Sequence, residues 1–469
     1  MTGDLISLSA RAVRDLLKDR KVTPLELLEA LEIRIEKVDG AVNALPTLCF
    51  ERARTRARER DFSALPLAGL PIVIKDLLAV SGVRTTFGSM AYCDHVPPSS
   101  DLLVERIEAA GGIVYAKSNT PEFGAGANTF NDVFGYTRNP WNTALSAAGS
   151  SGGSAVALAT GMAWLATGSD LGGSLRNPAS FCSIVGFRPS QGRVAADSGE
   201  TAFNRMSTEG PMARNVADAA MLLDVMAGYD SRDPMSLDNP AKSFEEAAAQ
   251  QDVPPRIAFS PDLGVTPVDP EVAQICGQAA KRFEELGAHV EGAHPDFSGL
   301  QEVFQVHRAL SYGTSLGPEL EANREVFKPE IVWNIEKGLA LTGVEIMDAM
   351  VARSKIYQRA NEFFSTYDLV LTPATVVPPY PVEQRFVERV GDHEFSNYIE
   401  WCSIAYAFTV IGAPAISIPC GFTQNGLPVG LQIAAAPRQE ARLLSAASAL
   451  ENLLRLSNQL PIDARVPDS

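Results

Sequence analysis

The stretch Ala148–Pro178 reads AGSSGGSAVALATGMAWLATGSDLGGSLRNP. After a Gly/Ser loop, SAVALATG reads as a small-residue helix, and AWLATGSD as a strand ending near Ser169. A second Gly/Ser loop, LGGS, follows. Helix then strand between glycine loops is the repeating unit of an α/β protein. The same stretch sets Ser150, Ser151, Ser154, Ser169 and Ser174 among glycines, so it is also the first place to look for a nucleophile.

Outward from it, the alternation continues. LPIVIKDLLAV (Leu70–Val80) follows Gly69 and reads as a buried strand with Lys75 inside it or at its end. SDLLVERIEAAGGIVYAKSN reads as a helix, a Gly-Gly stop and a strand. RIAFSPD, AHVEGA and YDLVLTPAT read as further strands with helices between them. The expected fold is a large mixed, twisted sheet, largely buried, with helices on both faces. TPLELLEALEIRIEKV starts a helix at Thr23, with Pro24 in the first helical position. One domain with insertions is expected: a helical segment over about 1–65, a core over about 66–225, a cap of longer charged helices over 230–380, and the rest of the core over 381–469.

The 469 residues are 46% hydrophobic, enough for a large core. A net charge of −16 argues against nucleic-acid binding. The one basic cluster, Arg52–Arg60, reads as the solvated face of a helix. No stretch of about 20 apolar residues suggests a membrane span, and the opening residues carry no apolar signal core. Six cysteines without a C-x-x-C pair suit reduced thiols in a cytoplasmic protein.

His95, His289, His294, His307 and His393 show neither metal-ligand spacing nor a cysteine cluster, so no metal site and no histidine base is expected. Gly149–Gly153 matches G-x-S-x-G with Ser151 at its centre, but RNPWNTALSAA before it has no strand-like run, as a nucleophile elbow requires. A neutral lysine is the other candidate base. Lys75, among Ile, Val and Leu, sits where a buried lysine would; alternatively it emerges at a strand end and pairs with Asp76. Gly172-Gly173-Ser174 is either a plain turn or a nest of N–H groups able to hold an oxyanion beside a serine. Arg176 either braces that loop or lies at the surface.

Together these residues resemble the amidase signature family. The likeness runs through GLPIVIKD (Gly69–Asp76), NTPEFG (Asn119–Gly124), FGYTRNPW (Phe134–Trp141), Ala148–Val194, GAPAISIPCGF and GLPVGLQI. It implies a Ser–Ser–Lys triad: Ser174 as nucleophile, Ser150 as a bridging serine with a cis peptide, and Lys75 as base. Ser150 and Ser174 stand 24 residues apart, as that family requires. It further implies an oxyanion hole from the N–H groups of Leu171, Gly172, Gly173 and Ser174, and a Gly124 carbonyl that meets the substrate amide. Ser151 would support the triad, and Asp170 and Arg176 would hold the loop. Ala148 stands where glycine is frequent, and GFRPSQGR where GLKPTxGR is usual.

The resemblance implies amide hydrolysis through a seryl acyl-enzyme, without cofactor or metal. The expected partner is a small-molecule amide, with no nucleic acid, no membrane, and a homodimer as one allowed assembly. Specificity is expected from about 300–345 and 376–410, where Phe304, Tyr312, Trp333, Tyr398, Trp401, Tyr406 and Phe408 either line the pocket for an aryl or medium apolar amide or belong to the core. The alternatives are a glutaminase-type subunit of a tRNA-dependent amidotransferase and a non-catalytic scaffold.

Overall fold

Thr23 opens the first long helix by reciprocal capping. Its hydroxyl accepts the Glu26 N–H, and the Glu26 carboxylate accepts the Thr23 N–H. This helix, α1 (Pro24–Val42), buries Leu27, Leu31, Ile35, Val38 and Val42 at three- and four-residue spacing. The arginine-rich segment is helical over Phe50–Glu59. It buries Phe50 and Ala53, while Arg52 pairs with Glu108 and Arg54 with Glu32.

The computed structural model describes residues 2–197, 202–203 and 205–467. At its centre is an 11-stranded sheet. Its strands, in chain order, are β1 Thr47–Leu48, β2 Pro71–Lys75, β3 Ile113–Ser118, β4 Leu165–Asp170, β5 Val185–Arg188, β6 Thr208–Ala213, β7 Arg256–Phe259, β8 His289–Gly292, β9 Leu369–Pro373, β10 Ala415–Phe422 and β11 Pro428–Ala435. Across the sheet they stand in the order β1-β3-β2-β4-β6-β5-β10-β11-β9-β7-β8. β3, β2 and β4 run parallel, as do β8, β7 and β9 at the far end. Antiparallel pairs join the rest. The sheet is therefore mixed. β2, β3, β9 and β11 are buried at every residue. A strand buried on odd and even positions alike has both faces covered, so the helices flank both sides.

The helices that matter below are α2 Gly152–Ala159, α3 Arg176–Cys182, α4 Leu300–Leu316, α5 Pro329–Leu339 and α6 Gly343–Thr366. The region 230–380 holds α4 to α6, but it also supplies β7, β8 and β9 to the sheet. No helix among the described residues is long and apolar enough to cross a membrane.

The sequence reading did not single out β1, β5, β6, β10 or β11 as strands, and it found no strand in RNPWNTALSAA. Asn142–Ser146, inside RNPWNTALSAA, is a strand that pairs with Arg138–Asn139 in a ribbon outside the main sheet. Ala144 is exposed and Asn142 and Leu145 are only half-buried, so the strand needs no apolar run and shows none.

Candidate active site

Lys75 is the last residue of β2, in the parallel part of the sheet. The carboxyl ends of parallel strands border the crevice where ligands bind in open α/β sheets. The Lys75 N–H donates to Thr167 Oγ1 on β4 at 3.0 Å, tying the two strand ends together. The AGSSGGS loop approaches from the side. Its Gly149–Ser150 peptide is cis. At Gly153, the second residue of α2, a methyl group would lie 2.4 Å from Asn119 N and 2.6 Å from the Ala44 carbonyl. Glycine is what lets α2 start this close to the backbone of its neighbours.

Lys75 Nζ sits among three serine hydroxyls: Ser150 Oγ at 2.7 Å, Ser151 Oγ at 2.9 Å and Ser169 Oγ at 3.0 Å. The side chain is fully buried. Burial pulls its pKa from 10.5 down to about 7, against the opposing charges of Asp170 and Glu209. The pairing of Lys75 with Asp76 does not occur. Asp76 turns to Lys117 Nζ at 2.7 Å and to the Thr86 hydroxyl and N–H. The lysine is left with hydroxyl partners and no carboxylate in contact.

The LGGS loop is built on Asp170, the last residue of β4. Its carboxylate accepts from Arg176 Nε at 3.0 Å and Nη2 at 2.8 Å, from Gly173 N at 2.9 Å and from Leu175 N at 3.2 Å. Arg188 adds a bond to the Asp170 carbonyl. Burial pushes the Asp170 pKa upward, but Arg176, Arg188 and the Gly173 N–H outweigh it and hold the carboxyl below the ordinary range. Arg176 is itself fully buried and reaches the Ala405 carbonyl at 2.7 Å and the Gln432 side chain, so it braces the loop rather than facing solvent.

The loop's N–H groups differ in their partners. The Gly173 N–H donates to Asp170. The N–H groups of Leu171, Gly172 and Ser174 make no hydrogen bond to any described group. Ser174 is half-buried, and its carbonyl accepts the Ser151 N–H at 3.2 Å. Its hydroxyl does not hydrogen-bond Ser150 Oγ, although both serines line one cavity.

That cavity, of about 250 Å³, is walled by Leu77, Phe123, Gly124 and Leu171 on one side and by Ser311, Tyr312, Ser315 and Leu316 of α4 on the other, with Ser169 and Ser207 completing it. No charged side chain is among these residues. Of the seven aromatics weighed for specificity, Tyr312 alone is in the wall. Phe304 and Tyr406 stack on each other, with ring centroids 3.8 Å apart, and Phe304 packs behind Gly172. Trp333 meets Tyr398, Trp401 meets Tyr380 and Phe408 meets Phe297, all as edge contacts. Sequence reasoning missed Leu77 and Phe123. Both lie in or beside quoted motifs, two residues after Lys75 and one before Gly124, so proximity to the expected site was the available signal. Among the described residues no group of three or more His, Cys, Asp or Glu is placed to hold a metal ion.

The family model described as Amidase matches residues 26–444. The chain belongs to the amidase signature family. It is 34% identical to an acylamidase of Rhodococcus erythropolis, over 98% of each chain. It is 35% identical to one subunit of the glutamyl-tRNA(Gln) amidotransferase of Moorella thermoacetica, over 98% of this chain and 99% of that one. The solved structure of a bacterial aryl acylamidase superposes with a TM-score of 0.89 at 28% identity, covering 97% of this chain and 99% of that one. The protein is thus an amidase, an amide-cleaving hydrolase built on the mixed α/β sheet of its family.

Proposed function

We propose that this amidase hydrolyses uncharged amides of a small aryl or medium apolar acid through an acyl-enzyme on Ser174, with Lys75 as the base and Ser150 as the relay. The observation that carries this reading is the buried Lys75 amine among three serine hydroxyls, beside a loop with three free N–H groups. A neutral amine has two N–H donors and one lone pair. The Ser151 hydroxyl lies 3.4 Å from the Ser169 carbonyl as a donor, so Ser151 accepts from Lys75. Ser169 takes the second N–H. Ser150, the nearest hydroxyl, then gives its proton to the lone pair.

The reaction follows from these roles. When substrate fills the cavity, Ser174 closes on Ser150 and passes it a proton while attacking the carbonyl; such contacts are often looser before substrate binds. The N–H groups of Leu171, Gly172 and Ser174 receive the developing oxyanion. The proton held on Lys75 returns through Ser150 to the departing amine. Water then releases the acid by the same relay.

The cavity supports the substrate class. Its volume is below the about 300–1,000 Å³ usual for drug-sized ligands, and Leu77, Phe123, Leu171 and Leu316 give it apolar walls. The likeness to amidotransferase subunits favours a second reading, glutamine as substrate. Glutamine is a zwitterion, and the described residues of the cavity wall hold no charge to pair with either of its charged groups. A panel of anilides, alkyl amides and glutamine, with a fluorophosphonate probe for Ser174, tests the reading. Turnover of glutamine in preference to apolar amides, or absence of Ser174 labelling in the folded protein, overturns it.

A further inference from the structure

The turn Glu122–Ala125 forms part of the cavity wall. Its Gly124 lies so near the relay that a methyl group there would be 3.4 Å from Ser150 Oγ. The three carbonyls from Phe123 to Ala125 have different fates. The Phe123 carbonyl accepts from the Tyr312 hydroxyl of α4 at 3.2 Å. The Ala125 carbonyl accepts from Lys328 Nζ at 2.5 Å. The Gly124 carbonyl between them accepts from no described group. A free backbone acceptor beside a nucleophilic serine suits the N–H of a bound amide.

Lys328 holds the turn twice. Besides the Nζ contact, its backbone N–H donates to Glu122 Oε2 at 2.8 Å, and Ser89 Oγ donates to Glu122 Oε1 at 2.6 Å. The residue stands just before Pro329, at the N-terminal end of α5, where a lysine offers no capping oxygen and sets its charge at the positive end of the helix. The residue is 8% exposed, and no carboxylate is in contact with Nζ. Nζ lies 5.1 Å from the Phe130 ring centroid. For helix capping alone, and for packing alone, a lysine is a costly choice.

We propose that Lys328 is a positioning residue for amide hydrolysis: from behind the cavity wall it pins the Ala125 carbonyl and Glu122, and so aims the Gly124 carbonyl at the substrate N–H. The inference rests on the reading of this cavity as the site of amide cleavage. It separates two substrates that share an acyl group. An anilide has the N–H that the Gly124 carbonyl would accept, and the phenyl ester does not. A displaced turn therefore penalises the anilide selectively, whereas general damage to the site penalises both.

The test compares Lys328→Met and Lys328→Arg with the parent protein on a matched anilide and phenyl ester. A misplacement of this kind costs about tenfold to a hundredfold. Lys328→Met is expected to lose that much in kcat/KM on the anilide and less than about threefold on the ester, with Lys328→Arg recovering part of the anilide rate. Hydrogen exchange should rise in peptides spanning 122–125 and stay unchanged in those spanning 165–175. Equal losses on both substrates, or unchanged exchange at 122–125, overturn the proposal. If Lys328→Met does not fold, Ser89→Ala, which frees the other Glu122 oxygen, is carried through the same measurements. Should the parent protein fail to cleave anilides, the reading of the cavity falls, and the exchange measurement still decides whether Lys328 pins the turn.

Discussion

A lysine side chain that titrates near neutrality sets how this site responds to pH. With Lys75 at about 7, roughly a tenth of the protein holds the neutral amine at pH 6 and roughly nine-tenths at pH 8. The neutral form is the base, so kcat/KM for an apolar amide is expected to rise with pH through about 7 and then level off. A bell centred below pH 6 in the pH–rate profile contradicts that assignment. Lys75→Ala should reduce kcat by about 10²–10⁴, the usual contribution of a positioned acid–base group. Ser174→Ala should abolish fluorophosphonate labelling, detected by mass spectrometry, while leaving the fold intact. At this scale the long motifs around Lys75, Ser150 and Ser174 were enough to single out three residues that the structure brings to one place. The donors of the LGGS loop were harder to read. An aspartate three residues upstream can capture a backbone N–H, and Asp170 does so here, but DLGG alone does not say which N–H groups remain free.

At the scale of elements, the β4–α3 loop depends on one buried carboxylate between two buried guanidiniums. Removing one member of such a group leaves charge uncompensated in the interior, and Asp170→Asn is expected to cost about 3–5 kcal/mol of stability, measurable by urea denaturation. Loss below about 1 kcal/mol would mean that the loop is held by other contacts. Gly173 has φ of +102°, and a methyl group there would lie 2.6 Å from Ala405 Cβ and 2.5 Å from Asn177 Oδ1. Gly173→Ala should therefore lower the melting temperature and the labelling rate of Ser174 together. The elements were legible in part: the buried strands β5, β6, β10 and β11 were not read as strands. α1 declared itself by its cap and its spacing, and β2, β3, β4 and β9 by apolar runs. The Arg138–Ser146 ribbon did not, because local pairing rather than burial of an apolar face holds it.

For the molecule as a whole, strand order was beyond the reach of periodicity. β11 follows β10 through the short turn at 423–427 and pairs antiparallel with it, but nothing in the local pattern puts β5 on the other side of β10, or β7, β8 and β9 at the sheet's other end. Those neighbours are set by crossover connections, which leave no local signature. Cavity size is likewise a product of the assembled walls. With about 250 Å³ available, single-ring and short-chain acyl groups are expected to exceed long-chain ones by about tenfold or more in kcat/KM across an anilide series. A flat profile across chain length would mean that the acyl group lies outside this cavity.

The wall facing the relay comes largely from one helix. Ser311, Tyr312, Ser315 and Leu316 are adjacent positions on the last turns of α4, whereas Lys75, Ser150, Ser151, Ser169 and Ser174 come from three segments more than a hundred residues earlier. Substrate choice and bond-breaking machinery can therefore drift separately. A combinatorial library confined to the Ser311, Ser315 and Leu316 codons would resculpt the acyl site in one cloning step, with each variant inheriting the same chemistry.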